Sequence, residues 1–298
     1  MPDKLGKAKD MEDVFMTKNE INFSTKVQLN NGVEIPLLGF GTAQIHNAGE
    51  LPGEETEEAV LYALRAGYRL IDTAKIYGNE ESVGKAINRS GIPRKEIFIT
   101  TKLWNSDHGY ESTIAACESS LERLGLSYLD LYLIHWPVAG LRNKTWKAME
   151  TLLEEGKCRA IGVSNYMIWH LEEILNCSST VPTINQVEFS PYLYQKDLLE
   201  FCHSHGIQLE AYSPLTRGEK LSDPKLVSMA RKYHKSAAQI LIRWILQRDI
   251  VVIPKSSKEA NIHDNANVFD FTISPEDMNV LNSFDQNLRV GWDPSTAE

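Results

Sequence analysis

The chain has 298 residues, of which 42% are hydrophobic and 24% are charged, and its formal net charge at pH 7 is -9. These values are ordinary for a globular protein with a large core. No stretch concentrates Lys and Arg as a groove along a nucleic-acid backbone requires, which argues against nucleic acid as a partner. No apolar run reaches the roughly 18 residues that span a bilayer, and no signal-peptide core follows Met1, so we expect a cytoplasmic protein without a membrane partner.

The first 23 residues mix acidic residues and lysines with few large apolar side chains. They predict a flexible extension (1–23) ahead of a single domain over residues 24–298. No linker rich in Gly, Pro or Ser divides that domain, and no obligate protein partner is evident, so we expect a monomer. Four cysteines without C-x-x-C spacing predict free, buried thiols in a reducing cytosol; they are Cys117, Cys158, Cys177 and Cys202.

The first predicted elements of the domain form a β-hairpin. Two short strand-like segments, Lys26–Leu29 and Val33–Pro36, are joined through Asn30-Asn-Gly32. An Asn-Gly pair tolerates the positive φ values of a tight hairpin turn. The hairpin precedes a series of repeating units, so we expect it to cap the floor of a barrel.

Eight strands alternating with helices follow the hairpin. Several strands are continuous apolar runs, as parallel strands buried on both faces are. The predicted strands are Leu38–Gly41, Tyr68–Thr73, Ile97–Lys102, Leu129–His135, Arg159–Ser164, Thr183–Glu188, Ile207–Tyr212 and Ile250–Ile253. The order predicts an α/β protein with the (β/α)₈ TIM-barrel fold, an N-terminal hairpin cap and extra helices near the C-terminus.

Helix start signals support this alternation. Pro52-Gly53 leads into Glu54–Arg65, and Ser274-Pro275 leads into a helix with acidic residues in its first turn. Asp223-Pro224 opens a helix that precedes another one, so the seventh unit carries an extra helix.

Three consecutive predicted strands end in an ionisable residue, namely Asp72, Lys102 and His135, and Tyr77 follows Asp72 by five residues. One strand that ends in a charge is ordinary solvent-facing sequence. Three such strands in units roughly thirty residues apart bring their side chains to the end of a barrel where enzymes of this fold place their chemistry. These four residues (the tetrad) therefore predict an active site.

The tetrad permits reduction of a carbonyl group. A tyrosine hydroxyl with its ordinary pKa of about 10 is a poor proton donor at neutral pH. The Lys102 ammonium lowers the pKa of Tyr77, and Asp72 makes a buried ammonium tolerable. His135 can orient a substrate oxygen. Because such a site protonates an alkoxide as it forms and the protein offers no hydride, a nicotinamide cofactor is implied.

The segments 67–84, 126–137, 162–165 and 252–256 resemble the signature stretches of the aldo-keto reductase superfamily, and the likeness runs from about residue 24 to about residue 290. The resemblance implies that the tetrad is catalytic, with Tyr77 as the acid, and that NADPH lies extended across the barrel mouth with NADH as a weaker donor. It also implies a set of cofactor-binding residues: Thr42, Asp72, Ser164, Asn165, Gln186, Tyr212, Ser213, Leu215, Lys255, Ser256 and Asn265.

The expected substrate is a small carbonyl compound, an aldehyde or a ketone. Its oxygen would lie between Tyr77 and His135, with Trp104 and Trp136 as aromatic walls and 288–292 closing one side. The short C-terminal tail resembles that of bacterial-type members that reduce small dicarbonyls.

Two positions depart from the family pattern. Ala43 stands where aldose-reductase-like members carry a bulky aromatic residue. Asn261 stands where an arginine usually clamps the cofactor phosphate.

Other interpretations are weaker. A non-catalytic relative on the same barrel, such as a lens-type structural protein or a channel-associated subunit, is the alternative, and the intact tetrad argues against it. The segment Gly39–Gln44 lacks the third glycine of a dinucleotide fingerprint. The histidines of Cys202–His205 would point to different faces of a helix, so we expect no metal.

Overall fold

The computed structural model describes residues 21–43 and 53–297. The predicted N-terminal extension, 1–23, lies outside these residues except for its last three positions. One of those three, Phe23, packs edge-on against the buried ring of Tyr68, with 5.4 Å between the ring centroids.

The predicted hairpin is the first element of the described residues. Strands β1 (Lys26–Gln28) and β2 (Glu34–Pro36) pair antiparallel, with Val27 opposite Ile35. The turn between them includes Gly32 at φ +85°, a conformation that glycine adopts without a steric penalty.

Eight parallel strands follow in one sheet whose spatial order is the chain order. The parallel bridge between Leu38 and Val252 closes the sheet, and the amide of Gly39 donates to the carbonyl of Val252 at 2.8 Å. The predicted (β/α)₈ barrel is therefore confirmed. The strands are β3 (Phe40–Gly41), β4 (Leu70–Asp72), β5 (Phe98–Leu103), β6 (Leu129–Ile134), β7 (Cys158–Ser164), β8 (Ile184–Glu188), β9 (Gln208–Tyr212) and β10 (Val251–Val252).

Amphipathic helices surround the barrel. They are α1 (Glu54–Arg65), α2 (Glu80–Ser90), α3 (Tyr110–Leu124), α4 (Arg142–Glu154), α5 (Ile168–Cys177), α6 (Lys196–Ser204), α7 (Pro224–Lys232), α8 (Ala237–Leu246), α9 (Glu259–Ala266) and α10 (Pro275–Asn282). The start signals act as predicted, since Asp223 accepts a hydrogen bond from the first turn of α7 and Ser274 does so for α10. Both α7 and α8 lie between the last two strands, and α9 and α10 follow the barrel.

Close packing of the outer layer depends on glycine at one point. A Cβ atom on Gly84 of α2 would lie 2.3 Å from the carbonyl oxygen of Leu124, the last residue of α3. Backbone atoms cannot give way as a side chain does, so α2 and α3 approach this closely only because position 84 has no side chain.

The cysteines are free, as expected, but the prediction of four buried thiols is wrong for Cys177. Cys177 is the last residue of α5, where the helix end faces solvent. The other three are buried, and the sulfur atoms of Cys117 and Cys158 are 3.8 Å apart.

Across the two described ranges, no helix is long and apolar enough to cross a membrane. The same part of the chain holds no group of three or more His, Cys, Asp or Glu residues that could bind a metal ion.

Candidate active site

The barrel brings the tetrad to the carboxyl ends of its strands. Asp72 is the last residue of β4, Lys102 lies near the end of β5, and His135 directly follows β6. Tyr77 ends a single 3-10 turn, Lys75–Tyr77, on the loop after β4. An ion pair between Lys75 and the loop after β5 ties these two loops together.

The ammonium group of Lys102 is the centre of the cluster. Its side chain is fully buried, and Nζ donates to Oδ1 of Asp72 at 2.6 Å and to the carbonyl of Thr73 at 2.9 Å. A third contact, 3.4 Å long, joins Nζ to the phenol oxygen of Tyr77. All three donors of the ammonium group thus face oxygen atoms.

Burial is the largest influence on the pKa of each of these groups. It raises the pKa of Asp72 against the lowering effect of Lys102. Burial opposes the charged form of Lys102, yet the charges of Asp72 and Tyr77 outweigh it and raise that pKa. For Tyr77, burial raises the pKa and the Lys102 ammonium lowers it, with a raised pKa as the net result. The lysine therefore acts on the phenol pKa in the predicted direction, and desolvation of the buried phenol, which the prediction did not include, is the larger effect.

His135 faces the phenol with a neutral imidazole. Its ring lies 5.8 Å from the ring of Tyr77 and 5.3 Å from that of Trp104. Burial and the nearby Lys102 charge hold the pKa of His135 well below its usual range. Its Nδ1 atom is buried without a hydrogen-bond partner among the described residues. The imidazole is thus held as a neutral ring beside the phenol.

Four of the predicted cofactor residues form one hydrogen-bonded network. The phenol of Tyr212 donates to Oδ1 of Asn165 at 2.8 Å, and the Asn165 amide donates to Oγ of Ser164 at 3.1 Å. The hydroxyl of Ser164 donates to the carbonyl of Gln186 at 2.8 Å. The Gln186 side chain donates in turn to Oδ2 of Asp72 at 2.8 Å, which joins this network to the tetrad.

The remaining predicted cofactor residues lie on loops that follow the barrel strands, except Asn265, which lies on α9. The hydroxyl of Thr42 donates to the carbonyl of Asp72 at 2.9 Å. Ser256 accepts a hydrogen bond from the amide of Lys258 just before α9, and Asn265 is buried on that helix. The others follow the last two strands of the barrel; they are Ser213 and Leu215 after β9 and Lys255 after β10.

Sequence reasoning missed Arg217, which lies on the loop after β9. This arginine is exposed, adopts φ +50°, and forms no ion pair within residues 21–43 and 53–297. Burial lowers the pKa of Lys255, and the charge of Arg217 lowers it further, so the two cations are close enough to repel. The loops after strands seven and eight are where this fold commonly binds phosphate.

Aromatic side chains wall the other side of the mouth. The ring of Trp292 lies 5.6 Å from that of Trp136 and 6.4 Å from that of Trp104. The segment that carries Trp292 is held by Glu188, a second residue missed from the sequence. Its two carboxylate oxygens accept the amides of Val290 and Gly291 at 2.8 and 2.9 Å.

These residues fit a nicotinamide dinucleotide. Tyr212 offers an aromatic ring at the end of β9, the Asn165 side chain is hydrogen-bonded to its phenol, and Lys255 with Arg217 offers two positive charges for phosphate. The neutral ring of His135 lies beside the phenol of Tyr77 on the tetrad side.

Comparison with known proteins agrees with this geometry. The model of the aldo/keto reductase family matches residues 37–286. Glyoxal reductase from Bacillus subtilis (strain 168) is 52% identical over 268 residues, which are 90% of this chain and 95% of that protein. The crystal structure of an aldo/keto reductase from Brucella melitensis has 49% sequence identity and a TM-score of 0.83, and the match covers 88% of this chain and 99% of that one. The Bombyx mori aldo-keto reductase, solved in complex with NADP, has 37% identity and a TM-score of 0.84 over 91% of this chain and 95% of its own. This chain therefore belongs to the aldo/keto reductase family and is an oxidoreductase that uses a nicotinamide cofactor.

Proposed function

We propose that this protein uses NADPH to reduce aldehydes and ketones to alcohols, with Tyr77 as the proton donor. The contact set of Lys102 carries this proposal. A buried ammonium lies 2.6 Å from Asp72 and 3.4 Å from the phenol oxygen of Tyr77, and the neutral ring of His135 faces the same phenol.

Each side chain of the tetrad has a separate role in the proposed reaction. Tyr77 and His135 bind the carbonyl oxygen between them, and Tyr77 donates its proton to that oxygen as negative charge develops there. Lys102 stabilises the phenolate that remains, and Asp72 holds Lys102 in place. The bound cofactor supplies the hydride. Tyr212, with Asn165 next to it, would bind the nicotinamide ring and its amide.

The relatives and the aromatic walls favour a small dicarbonyl or an aromatic aldehyde as the substrate. Glyoxal reductase from Bacillus subtilis shares 52% of its aligned residues with this chain. The three tryptophans at the mouth, Trp104, Trp136 and Trp292, offer flat apolar faces to a planar carbonyl compound. The non-catalytic alternative gains no support, because the relative just named carries a reductase name.

The test is NADPH oxidation with a panel of aldehydes, in the wild type and in Tyr77→Phe. General acids of this kind typically contribute ~10²–10⁴-fold, so we expect Tyr77→Phe to lose that much turnover. Cofactor binding, followed by quenching of tryptophan fluorescence, should persist because the phenol acts on the substrate oxygen.

Tyr110→Phe is the matched control. Tyr110 lies on α3 and its hydroxyl contacts Thr151, so its removal should leave turnover unchanged. If Tyr77→Phe kept more than about a tenth of wild-type turnover in a rate-limiting chemical step, Tyr77 would not be the acid.

A further inference from the structure

Glu210 is a buried carboxyl group that the reaction described above does not use. It lies in the middle of β9, is 0% exposed, and pairs in register with Gln186 of β8. Side chains alternate along a strand, so Glu210 points to the same face as Tyr212, two residues further on at the barrel mouth. Neither of its carboxyl oxygens has a hydrogen-bond partner within residues 21–43 and 53–297.

The groups that face Glu210 are members or neighbours of the tetrad. Asp72 of β4 and Lys102 of β5 act on it through their charges, and the polar side chain of Gln186, paired with it in register on β8, donates to Oδ2 of Asp72 at 2.8 Å. The strand on its other side, β10, contributes only Val251 and Val252. Burial, and then repulsion from Asp72, raise the pKa of Glu210 to about 8, against the lowering effect of Gln186 and Lys102. Full burial with no hydrogen-bond partner on either oxygen thus favours the protonated, uncharged carboxyl near neutral pH.

Ionisation of Glu210 acts on the proposed acid. A negative charge on Glu210 raises the pKa of Tyr77, which opposes the effect of Lys102 on the same phenol. It also adds a second anion beside Asp72, and the single ammonium of Lys102 then has two carboxylates to neutralise. A protonated Glu210 leaves the ammonium to Asp72 and Tyr77 alone.

We infer that Glu210 is a positioning residue for the reduction, a carboxyl group kept neutral beneath the tetrad whose loss of a proton weakens Tyr77 as an acid. This inference rests on the proposed function, because it concerns the proton donor of that reaction. Glu210 touches neither substrate nor cofactor in this assignment and acts only through its charge on Asp72, Lys102 and Tyr77.

The kinetic test is the pH dependence of the chemical step, measured in single turnover with saturating NADPH and an aldehyde. In the wild type the rate should fall as the pH rises through about 8, because Glu210 ionises there and its charge makes Tyr77 a weaker acid. In Glu210→Gln this alkaline limb of the pH–rate profile, the fall in rate near pH 8, should disappear. The variant should be roughly three- to tenfold faster than the wild type at pH 9 and within about twofold of it at pH 6.5.

Glu80→Gln is the matched control, since Glu80 is also buried but its oxygens are bound by Thr101 and Arg123. Its profile should keep the wild-type limb. Glu210→Leu provides a second neutral side chain should the buried amide of Glu210→Gln disturb packing. A limb near pH 8 that survives in both neutral variants would overturn the inference.

A second measurement is independent of turnover and so separates this inference from the proposed function. Tyrosine residues carrying ¹³C at the phenol carbon report the charge of nearby groups, and Tyr77→Phe identifies the Tyr77 signal. In the wild type this signal should shift with a midpoint near pH 8, and the shift should be absent in Glu210→Gln. If the shift is present in both proteins, Glu210 does not act on Tyr77, whether or not the protein reduces aldehydes.

Discussion

At the scale of single residues, Lys102 shows how a charge is kept inside a barrel. An ammonium group removed from water loses several kcal/mol of hydration free energy. Only hydrogen bonds and ion pairs with well-placed oxygen atoms offset this loss. Lys102 has such oxygens on Asp72, Thr73 and Tyr77. The same contacts that make the charge tolerable direct it at the phenol, so stability and chemistry depend on one set of atoms.

We therefore expect Lys102→Met to be almost as damaging to turnover as Tyr77→Phe, because the charge that favours the phenolate is lost. The variant should also unfold more easily, by about 3–5 kcal/mol, because Asp72 is left buried without its partner. Kinetics and urea denaturation measure the two effects.

Lys147→Met is the control for this change, since the Lys147 side chain is 67% exposed and its ion pair with Glu150 lies on the surface. A second variant, Lys102→Met with Asp72→Asn, removes both charges and should recover part of the stability but none of the turnover. A Lys102→Met protein with an unchanged pH–rate profile would contradict the coupling of Lys102 to Tyr77.

The members of the tetrad could be predicted from the sequence because each follows a recognisable strand. Asp72 and His135 come at the ends of apolar runs, and parallel strands place such ends together. Glu210 could not be predicted in the same way. Its environment depends on which strands face it across the barrel, and one glutamate inside a strand does not reveal that. Arg217 was missed because it follows its strand by several residues and enters a left-handed turn.

At the scale of elements, the hairpin and the barrel strands could be predicted because each has a local signal. Continuous apolar runs marked strands such as β6, whose six residues are all buried. The first and last residues of the helices have weaker local signals than the strands do. Helix α6 begins at Lys196, directly after Gln195 in a left-handed conformation that no local pattern predicts. The position of the C-terminal segment could not be predicted either, because it depends on hydrogen bonds to Glu188, more than a hundred residues earlier in the chain.

Glu188 offers a test of that attachment. A carboxylate accepts both amides of the C-terminal segment, whereas Glu188→Gln has one oxygen and presents an NH₂ group to a donor. Hydrogen bonds to a charged group contribute about 1.5–3 kcal/mol, so the segment should loosen and Trp292 should leave the mouth. The KM for an aromatic aldehyde should then rise several-fold, with a smaller change for methylglyoxal and little change in kcat.

Trp292→Ala should reproduce this difference between substrates, because it removes the ring and leaves the segment attached. Hydrogen exchange of the 288–292 amides should accelerate in Glu188→Gln and remain slow in Trp292→Ala. Equal effects of Glu188→Gln on the two substrates would mean that the segment does not line the binding site.

At the scale of the whole molecule, a net charge of -9 repels an anionic dinucleotide, so the cofactor must meet a local positive site. We propose that Lys255 and Arg217 form that site, since they follow neighbouring barrel strands and the charge of Arg217 lowers the pKa of Lys255. An anion between them relieves this repulsion. NADPH carries a 2′-phosphate that NADH lacks, so the pair should favour NADPH although Asn261 replaces the usual arginine.

Salt provides the sharpest measure of this effect, because the Debye length shortens from ~30 Å at 0.01 M to ~10 Å at 0.1 M ionic strength. We expect the KM for NADPH to rise steeply with NaCl and that for NADH to rise little.

Arg217→Gln should reduce the ratio of kcat/KM for NADPH over NADH by about tenfold, as the loss of one charge-assisted contact implies, and should flatten the salt dependence. Asn261→Arg should change both quantities in the opposite direction. Arg65→Gln is the control, because the exposed Arg65 ends α1 at the opposite end of the barrel and should change neither. A wild-type preference for NADH, or a salt dependence that is the same in Arg217→Gln, would show that Lys255 and Arg217 do not bind the phosphate.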